Sequence, residues 1–147
     1  MRPAFHALVL ATCLAFCLLL PLRLGAADPA VKLITHPSRA GRLSEAEVRA
    51  IYLKKRVFWD DGNPIIPINR EAGSQPREIF SQRIFGQDSR RAATYWNQRY
   101  FEAGEFPPAT LASEEAVIRF VAGNENAIGY LTLEEVTDSV SVVLVLR

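Results

Sequence analysis

Residues 65–80, IIPINREAGSQPREIF, decide the fold of this chain. They begin with an apolar run, 65–68, that predicts a short strand. A small-residue loop containing Gly73 and Ser74 comes next, and apolar residues then recur at helical spacing as far as Ile84. A strand that leads through such a loop into a helix is typical of α/β proteins.

The elements on either side extend this pattern to the order β-α-β-α-α-α-β-β, which predicts one layered α/β domain. Pro67 lacks an amide hydrogen, so its strand is expected to be short or to lie at a sheet edge. The last strand, VSVVLVL at 140–146, is almost wholly apolar and is expected to be buried on both faces. The other predicted strands are 31–35, 65–68 and 127–131, and the predicted helices begin at the cap residues Ser44, Ser74, Ser89 and Ser113.

Residues 1–27 have the features of a secretory signal peptide. Arg2 precedes an uncharged run from Ala7 to Leu22, and the small residues 25–27 suit a signal peptidase. The run is shorter than the roughly 20 residues of a membrane-spanning helix, so we expect a cleaved signal, with an uncleaved N-terminal anchor as the alternative. The sequence therefore predicts a periplasmic or secreted domain formed by residues 28–147.

The composition of that domain excludes several classes of chemistry. Both cysteines precede it and His36 is its single histidine, so zinc sites built from Cys and His are not predicted. Nucleophilic machinery would depend on His36, which lies beside a proline, and the chain has no Gly-x-Ser-x-Gly motif. Without Arg2 and Arg23 there are 15 basic residues against 16 acidic ones, so no nucleic-acid partner is predicted. We therefore expect no enzyme, no metal and no cofactor.

The loop between the central strand and helix allows two interpretations. In the first, Ser74 is only the N-cap of a helix that begins at Gln75. In the second, Ser74, the first-turn amides and the helix dipole bind an oxyanion, and Gly73 lets it approach the backbone. Arg70 would then hold the oxyanion through two parallel hydrogen bonds. Pro76 has no amide hydrogen, which removes one donor from the second interpretation.

Three stretches of the chain resemble one known protein family. The family segments are a helix ending in a phenylalanine-x-glycine-lysine type turn with tryptophan-aspartate, an Arg-Ser-x-Gly-Ser-Gly-Thr phosphate loop with the helix after it, and a segment ending in Ala-Ile-Gly-Tyr. The similar stretches here are LSEAEVRAIYLKKRVFWDDG (43–62), IIPINREAGSQPREIFSQRIFG (65–86) and ASEEAVIRFVAGNENAIGYLT (112–132). The family is the phosphate-binding members of the type 2 periplasmic solute-binding proteins, which are the soluble receptors of phosphate ABC transporters.

This resemblance implies an α/β fold in which a mixed sheet is flanked by helices, and a protein that binds phosphate or a related oxyanion. Arg70 matches the loop arginine that clamps phosphate in the family, and Ser74 matches the serine that hydrogen-bonds it. Gln75 and Pro76 replace a glycine and a threonine that also supply contacts. The ligand-binding residues that we expect are Arg70, Gly73, Ser74, Gln75 and Arg77.

The family's receptors have two lobes that close over the ligand, whereas this chain has room for a single lobe. The resemblance therefore implies weak binding, and a partner that supplies the second half of the cleft: another copy, or a membrane or periplasmic protein. The alternative is an envelope protein-interaction module that keeps the fold but has lost ligand binding. Pro76, the missing lobe and the near-neutral charge favour that alternative.

Overall fold

A computed structural model describes residues 28–147 as a five-stranded mixed sheet with helices on both faces. The predicted signal peptide, residues 1–27, lies outside the described residues. The strands are β1 (Val31–Thr35), β2 (Ile66–Arg70), β3 (Ala109–Leu111), β4 (Ala127–Leu131) and β5 (Ser141–Leu146). The helices are α1 (Glu45–Tyr52), α2 (Gln75–Phe85), α3 (Ser89–Ala103) and α4 (Glu114–Ala122), with a short 3-10 turn at Pro37–Arg39.

The sheet has the order β3-β2-β4-β1-β5. β2 runs parallel to both β3 and β4, whereas β1 is antiparallel to β4 and β5. β2 changes its partner along its length: Ile66 and Pro67 pair with β4, and Ile68 to Arg70 pair with β3. The strand containing Pro67 is therefore short, as expected, but it lies inside the sheet and not at an edge.

Each face of the sheet carries its own apolar cluster. α1 and α2 cover one face, where Tyr52, Phe80 and Tyr130 pack together, and the Phe80 and Tyr130 rings stack with centroids 4.0 Å apart. α4 covers the opposite face, where Val117 and Val121 pack on β1, β2 and β4. α3 packs against the outer side of α2. The helices that follow β1 and β2 thus cover one face of the sheet, and the helix that follows β3 covers the other.

Gly129 in β4 allows α4 to approach the sheet closely. A Cβ atom at this position would lie 2.5 Å from Cγ1 of Val117 and 3.4 Å from Cγ2 of Val121. Because a separation of 2.5 Å is well inside the contact distance of two carbon atoms, a larger residue would push α4 away from β4. The glycine of the AIGYL stretch therefore has a packing function.

Three of the four helices begin where the sequence predicts. Ser44 and Glu47 form the capping box of α1, and Ser113 caps α4 through the amide of Ala116. The cap of α3 is Asp88 and not Ser89, because the Asp88 carboxylate accepts the Arg91 amide. Acidic and hydroxyl caps fill the same role, so the one-residue shift leaves the helix unchanged.

Two predictions about the strands are wrong. The predicted order of elements lacks β3, because three residues between helices are too few to show a period of two. The observed order is β-α-β-α-α-β-α-β-β. β5 is not buried on both faces: it is one of the two edge strands of the sheet, and Val142 and Val145 are each 41% exposed. An apolar run does not show whether a strand has neighbouring strands on both sides, because this depends on how the other strands of the chain pair.

No helix within residues 28–147 is long and apolar enough to cross a membrane.

Candidate functional site

The carboxyl ends of β2 and β3 form a topological switch point. β2 leads through residues 71–74 into α2 on one face of the sheet, and β3 leads through 112–113 into α4 on the other face. Two adjacent parallel strands whose loops depart in opposite directions leave a crevice between them, and open α/β sheets bind ligands in such crevices. All five residues that the sequence analysis names as ligand-binding lie at the β2 side of this crevice.

Arg70, the last residue of β2, spans the crevice. Its side chain is 7% exposed, and it donates from Nε to the Leu111 carbonyl at 3.2 Å and from Nη2 to the Ala112 carbonyl at 3.0 Å. Two guanidinium nitrogens that could otherwise form parallel hydrogen bonds to an oxyanion thus donate to backbone carbonyls at the end of β3. The remaining nitrogen, Nη1, is buried and has no hydrogen-bond partner among the described residues.

A tyrosine hydroxyl fixes the backbone of Arg70. The Arg70 amide donates to the hydroxyl of Tyr130 at 3.1 Å, and this hydroxyl donates to Oδ1 of Asn69 at 2.8 Å. Burial raises the pKa of the Tyr130 phenol, so the group is neutral and keeps its proton for Asn69. The Tyr130 hydroxyl thus supplies a hydrogen-bond acceptor at the end of β2, where β2 no longer pairs with β4.

Arg77 is the second guanidinium of the site. It lies in the first turn of α2, is half-buried, and donates from Nη1 to the carbonyl of Arg70 at 3.3 Å. Its Nε is buried and has no hydrogen-bond partner, and among residues 28–147 no carboxylate lies within 4.0 Å of its guanidinium. Arg77 therefore brings an unpaired positive charge to the carboxyl end of β2.

Arg77 is among the ligand-binding residues predicted from the sequence, but the part played by its side chain is not predicted. A signal was present, because a residue three positions after an N-cap lies over the start of its helix. Nothing in the sequence shows that the Arg77 side chain turns back towards β2 and meets the Arg70 carbonyl.

Ser74 is the N-cap residue of α2, as predicted, but its hydroxyl does not cap the helix. The hydroxyl donates to the carbonyl of Glu71 at 2.8 Å and accepts no first-turn amide. Gly73 precedes it with φ of 82°, a left-handed conformation that glycine adopts without strain. The loop 71–74 is therefore closed by its own hydrogen bonds, and the Ser74 hydroxyl does not form the side-chain cap that the first interpretation allows.

The first turn of α2 leaves backbone donors without intrahelical partners, as every α-helix does. Gln75 and Arg77 occupy the first and third positions, and Pro76 between them has no amide hydrogen. The predicted amide donors are thus present at the helix start, with the gap at Pro76 that the sequence analysis expected.

The charges around the crevice are not all positive. Oε1 of Glu114 lies 3.9 Å from Nη1 of Arg70, beyond hydrogen-bond distance. The pKa of Glu115 is lowered by its own amide and the Ser113 hydroxyl, with smaller effects from the charges of Arg119 and Arg70. The field of Arg70 is thus partly compensated from α4, while that of Arg77 is not.

A cavity of about 550 Å³ lies next to the loop, but its charges do not suit an anion. Two carboxylates, Glu78 and Asp88, contribute to its wall. Glu78 accepts hydrogen bonds from the hydroxyl and the amide of Ser89, which together hold the pKa of its carboxyl below the usual range. The cavity is lined by Ala72, Gly73, Glu78, Asp88, Ser89, Arg90 and Ala93, and it does not include Arg70. Within residues 28–147 no cluster of side chains suited to hold a metal ion is present.

Two solved structures share the fold of this chain. One is a protein assigned as a phosphate ABC transporter substrate-binding protein from Clostridium perfringens, with bound phosphate: its TM-score is 0.60 at 28% identity, over 79% of this chain and 45% of that one. The other is an ABC-type phosphate transport receptor from Vibrio cholerae, with a TM-score of 0.62 at 17% identity, over 78% of this chain and 45% of that one. The relationship is one of fold.

These likenesses confirm the predicted fold class. The chain is a mixed α/β lobe of the periplasmic binding protein type, and it spans less than half the length of either protein. The sequence matches no protein-family model and no curated protein.

Proposed function

We propose that this chain is an exported, single-lobe solute-binding domain that weakly binds phosphate or a related oxyanion at the carboxyl end of β2. Residues 1–27 would direct its export, and residues 28–147 would form the binding domain. The fold supports this proposal, because two of the solved structures that share it are a substrate-binding protein and a transport receptor for phosphate. The proposed role is linked to phosphate uptake and involves no catalysis.

The observation that carries the proposal is a pair of unsatisfied guanidinium nitrogens. Nη1 of Arg70 and Nε of Arg77 are both buried and both lack a hydrogen-bond partner among the described residues. A buried donor on a charged group destabilises a protein unless something accepts its proton. An oxyanion at the switch point would accept from both nitrogens and compensate the charge of Arg77.

The proposed binding is weak for three physical reasons. A single lobe leaves its ligand half in water, where each electrostatic contact is screened. Arg70 already uses two of its nitrogens on the carbonyls of Leu111 and Ala112. Pro76 withholds one of the first-turn amides. In the proposed role, a second copy of the chain or a membrane or periplasmic protein covers the exposed side of the ligand.

Calorimetric titration of the purified protein with phosphate, sulfate and arsenate tests the proposal. We expect dissociation constants in the millimolar range, and loss of the signal in Arg70→Ala. Arg83→Ala is the matched control, because Arg83 is an exposed arginine on the same helix, α2. The absence of any binding heat at tens of millimolar anion would disprove binding. An unchanged affinity in Arg70→Ala would disprove the assignment of the site.

A second candidate function has its own observation in its favour. Three exposed aromatic side chains lie near the end of α3, where Tyr100 contacts both Phe101, which is 84% exposed, and Phe106, which is 64% exposed. Exposed aromatic groups of this kind are enriched in protein–protein interfaces. They support an envelope interaction module that has kept the fold and lost the ligand.

Cross-linking in intact cells separates this second candidate from the first. An interaction module predicts a partner that is captured by the wild type and by Arg70→Ala, and is lost in Phe101→Ser with Phe106→Ser. An oxyanion-binding domain predicts instead that phosphate binding is lost in Arg70→Ala and persists when the two phenylalanines are replaced.

A further inference from the structure

Glu114 places a carboxylate directly beside the unsatisfied nitrogen of Arg70. The two side chains are 14% and 7% exposed, and Oε1 of Glu114 lies 3.9 Å from Nη1. This separation is too long for a hydrogen bond, so Glu114 compensates the charge of Arg70 but does not satisfy its donor. The same buried nitrogen thus still lacks an acceptor, and a negative charge stands next to it.

The Glu114 carboxylate is held in place from the other side. Its Oε1 accepts the backbone amide of Thr132 and also the Thr132 hydroxyl, the latter at 2.8 Å. Glu114 is in addition the first residue of α4, where a helix dipole stabilises a negative charge. Because three features fix the carboxylate at this position, it cannot move away freely when an anion enters the crevice.

We propose that Glu114 is an internal competitor of the ligand at Arg70, and that it lowers the affinity of the site further. This inference rests on the proposed function. In the free protein Glu114 balances the charge of Arg70; in the bound protein the oxyanion and Glu114 face the same guanidinium and repel each other. The affinity is therefore the difference between the attraction of Arg70 and Arg77 and the repulsion from Glu114.

Glu114→Gln tests this role because it removes the charge and keeps an oxygen that can accept from Thr132. We expect phosphate to bind this variant about five- to tenfold more tightly than the wild type, since like charges a few ångströms apart in a partly screened site repel by roughly that factor. Glu45→Gln is the matched control: Glu45 is also the first residue of a helix that a serine precedes, and it belongs to α1. Its replacement is expected to leave the affinity unchanged.

The outcomes separate this inference from the proposed function. Tighter binding by Glu114→Gln, including binding that appears only in the variant, supports the competitor. Equal or weaker binding by a variant that melts like the wild type overturns the competitor and leaves phosphate binding intact. An absence of binding by both proteins overturns the inference together with the proposed function.

A measurement on the unmodified protein covers the case in which the variant does not fold. The carboxyl carbon resonance of Glu114 is followed by NMR while phosphate is added. We expect this resonance to shift along the same saturation curve as the Arg77 amide. A Glu114 carboxyl signal that stays constant while the amide saturates would overturn the inference.

Discussion

The hydroxyl of Tyr130 accepts the backbone amide of Arg70 at 3.1 Å, so a side chain of β4 takes the place of a sheet hydrogen bond at the end of β2. In a regular parallel pair this amide would donate to a carbonyl of the neighbouring strand. The substitution occurs where β2 leaves β4 and begins to pair with β3. Tyr130 thereby connects the conformation of Arg70 to the core under α2.

Tyr130→Phe is expected to lower the free energy of unfolding by about 1–3 kcal/mol, because it leaves the buried Arg70 amide without an acceptor and Asn69 without a donor. The stacking on Phe80 is retained, so the change reports the hydroxyl alone. Urea unfolding followed by circular dichroism measures the effect. Tyr100→Phe is the control, since the Tyr100 side chain is about half exposed. Equal stabilities of the two variants would contradict the role of Tyr130.

Gly129→Ala is expected to destabilise the protein by about 1–3 kcal/mol through overpacking, because its Cβ would lie 2.5 Å from Cγ1 of Val117. Gly41→Ala is the matched control: no atom lies within 4 Å of the Cβ it would add. Thermal unfolding of both variants provides the comparison. If Gly129→Ala melts at the wild-type temperature, the close approach of α4 to β4 is not a constraint on the sequence.

Arg77→Met is expected to weaken phosphate binding by about tenfold or more while it changes the free energy of unfolding by less than about 1 kcal/mol. A half-buried charge without a carboxylate partner adds little stability, so its replacement by an apolar side chain is nearly neutral. Calorimetry and urea unfolding on the same preparations measure the two quantities. Arg83→Met serves as control on the exposed side of α2. A large loss of stability together with unchanged binding would assign Arg77 a structural role only.

The contribution of Glu78 to stability is expected to depend on pH. Hydrogen bonds from the Ser89 hydroxyl and amide lower the pKa of its carboxyl in the folded state. A lowered pKa means that the carboxylate stabilises the fold above its unfolded-state pKa of about 4.3, and that this stabilisation is lost as the pH falls through the folded-state pKa. The wild type should therefore exceed Glu78→Gln in stability at pH 7 and lose that advantage in acid.

Urea unfolding at a series of pH values measures this difference for Glu78. Glu71→Gln is the control, because Glu71 is exposed and its carboxylate accepts no hydrogen bond among the described residues. A difference between wild type and Glu78→Gln that is constant from neutral to acidic pH would show that the contacts with Ser89 do not hold the charged form.

Much of the fold can be predicted from the sequence, because caps and apolar spacing within a few residues indicate where its helices lie. The capping box at Ser44 and the apolar spacing after Ser74 depend on neighbours within a few residues, and the structure has helices in both places. β3 and the edge position of β5 are not marked in this way. Their placement depends on pairing between segments that are distant in the chain, and the local pattern carries no information about such pairs.

In the site, too, the positions of residues close in the chain can be predicted, whereas contacts between distant segments cannot. The sequence places Arg70, Gly73 and Ser74 close together by spacing alone, and in the structure Arg70 ends β2 while Gly73 and Ser74 lie in the loop after it. It does not reveal that the Arg70 guanidinium reaches the carbonyls of Leu111 and Ala112, nor that Glu114 stands beside it. These contacts exist because the β3–α4 connection crosses to the opposite face of the sheet.

The change of partner along β2 has a consequence for the motions of this protein. Its Arg70 end pairs with β3, a strand of three residues, and short strands with exposed neighbours open at a lower free energy than the core of a sheet. Amides of residues 109–111 should therefore exchange with deuterium faster than those of β4. Because the bonds from Arg70 to Leu111 and Ala112 break when β3 separates, each such opening gives solvent ions access to a guanidinium that is otherwise covered.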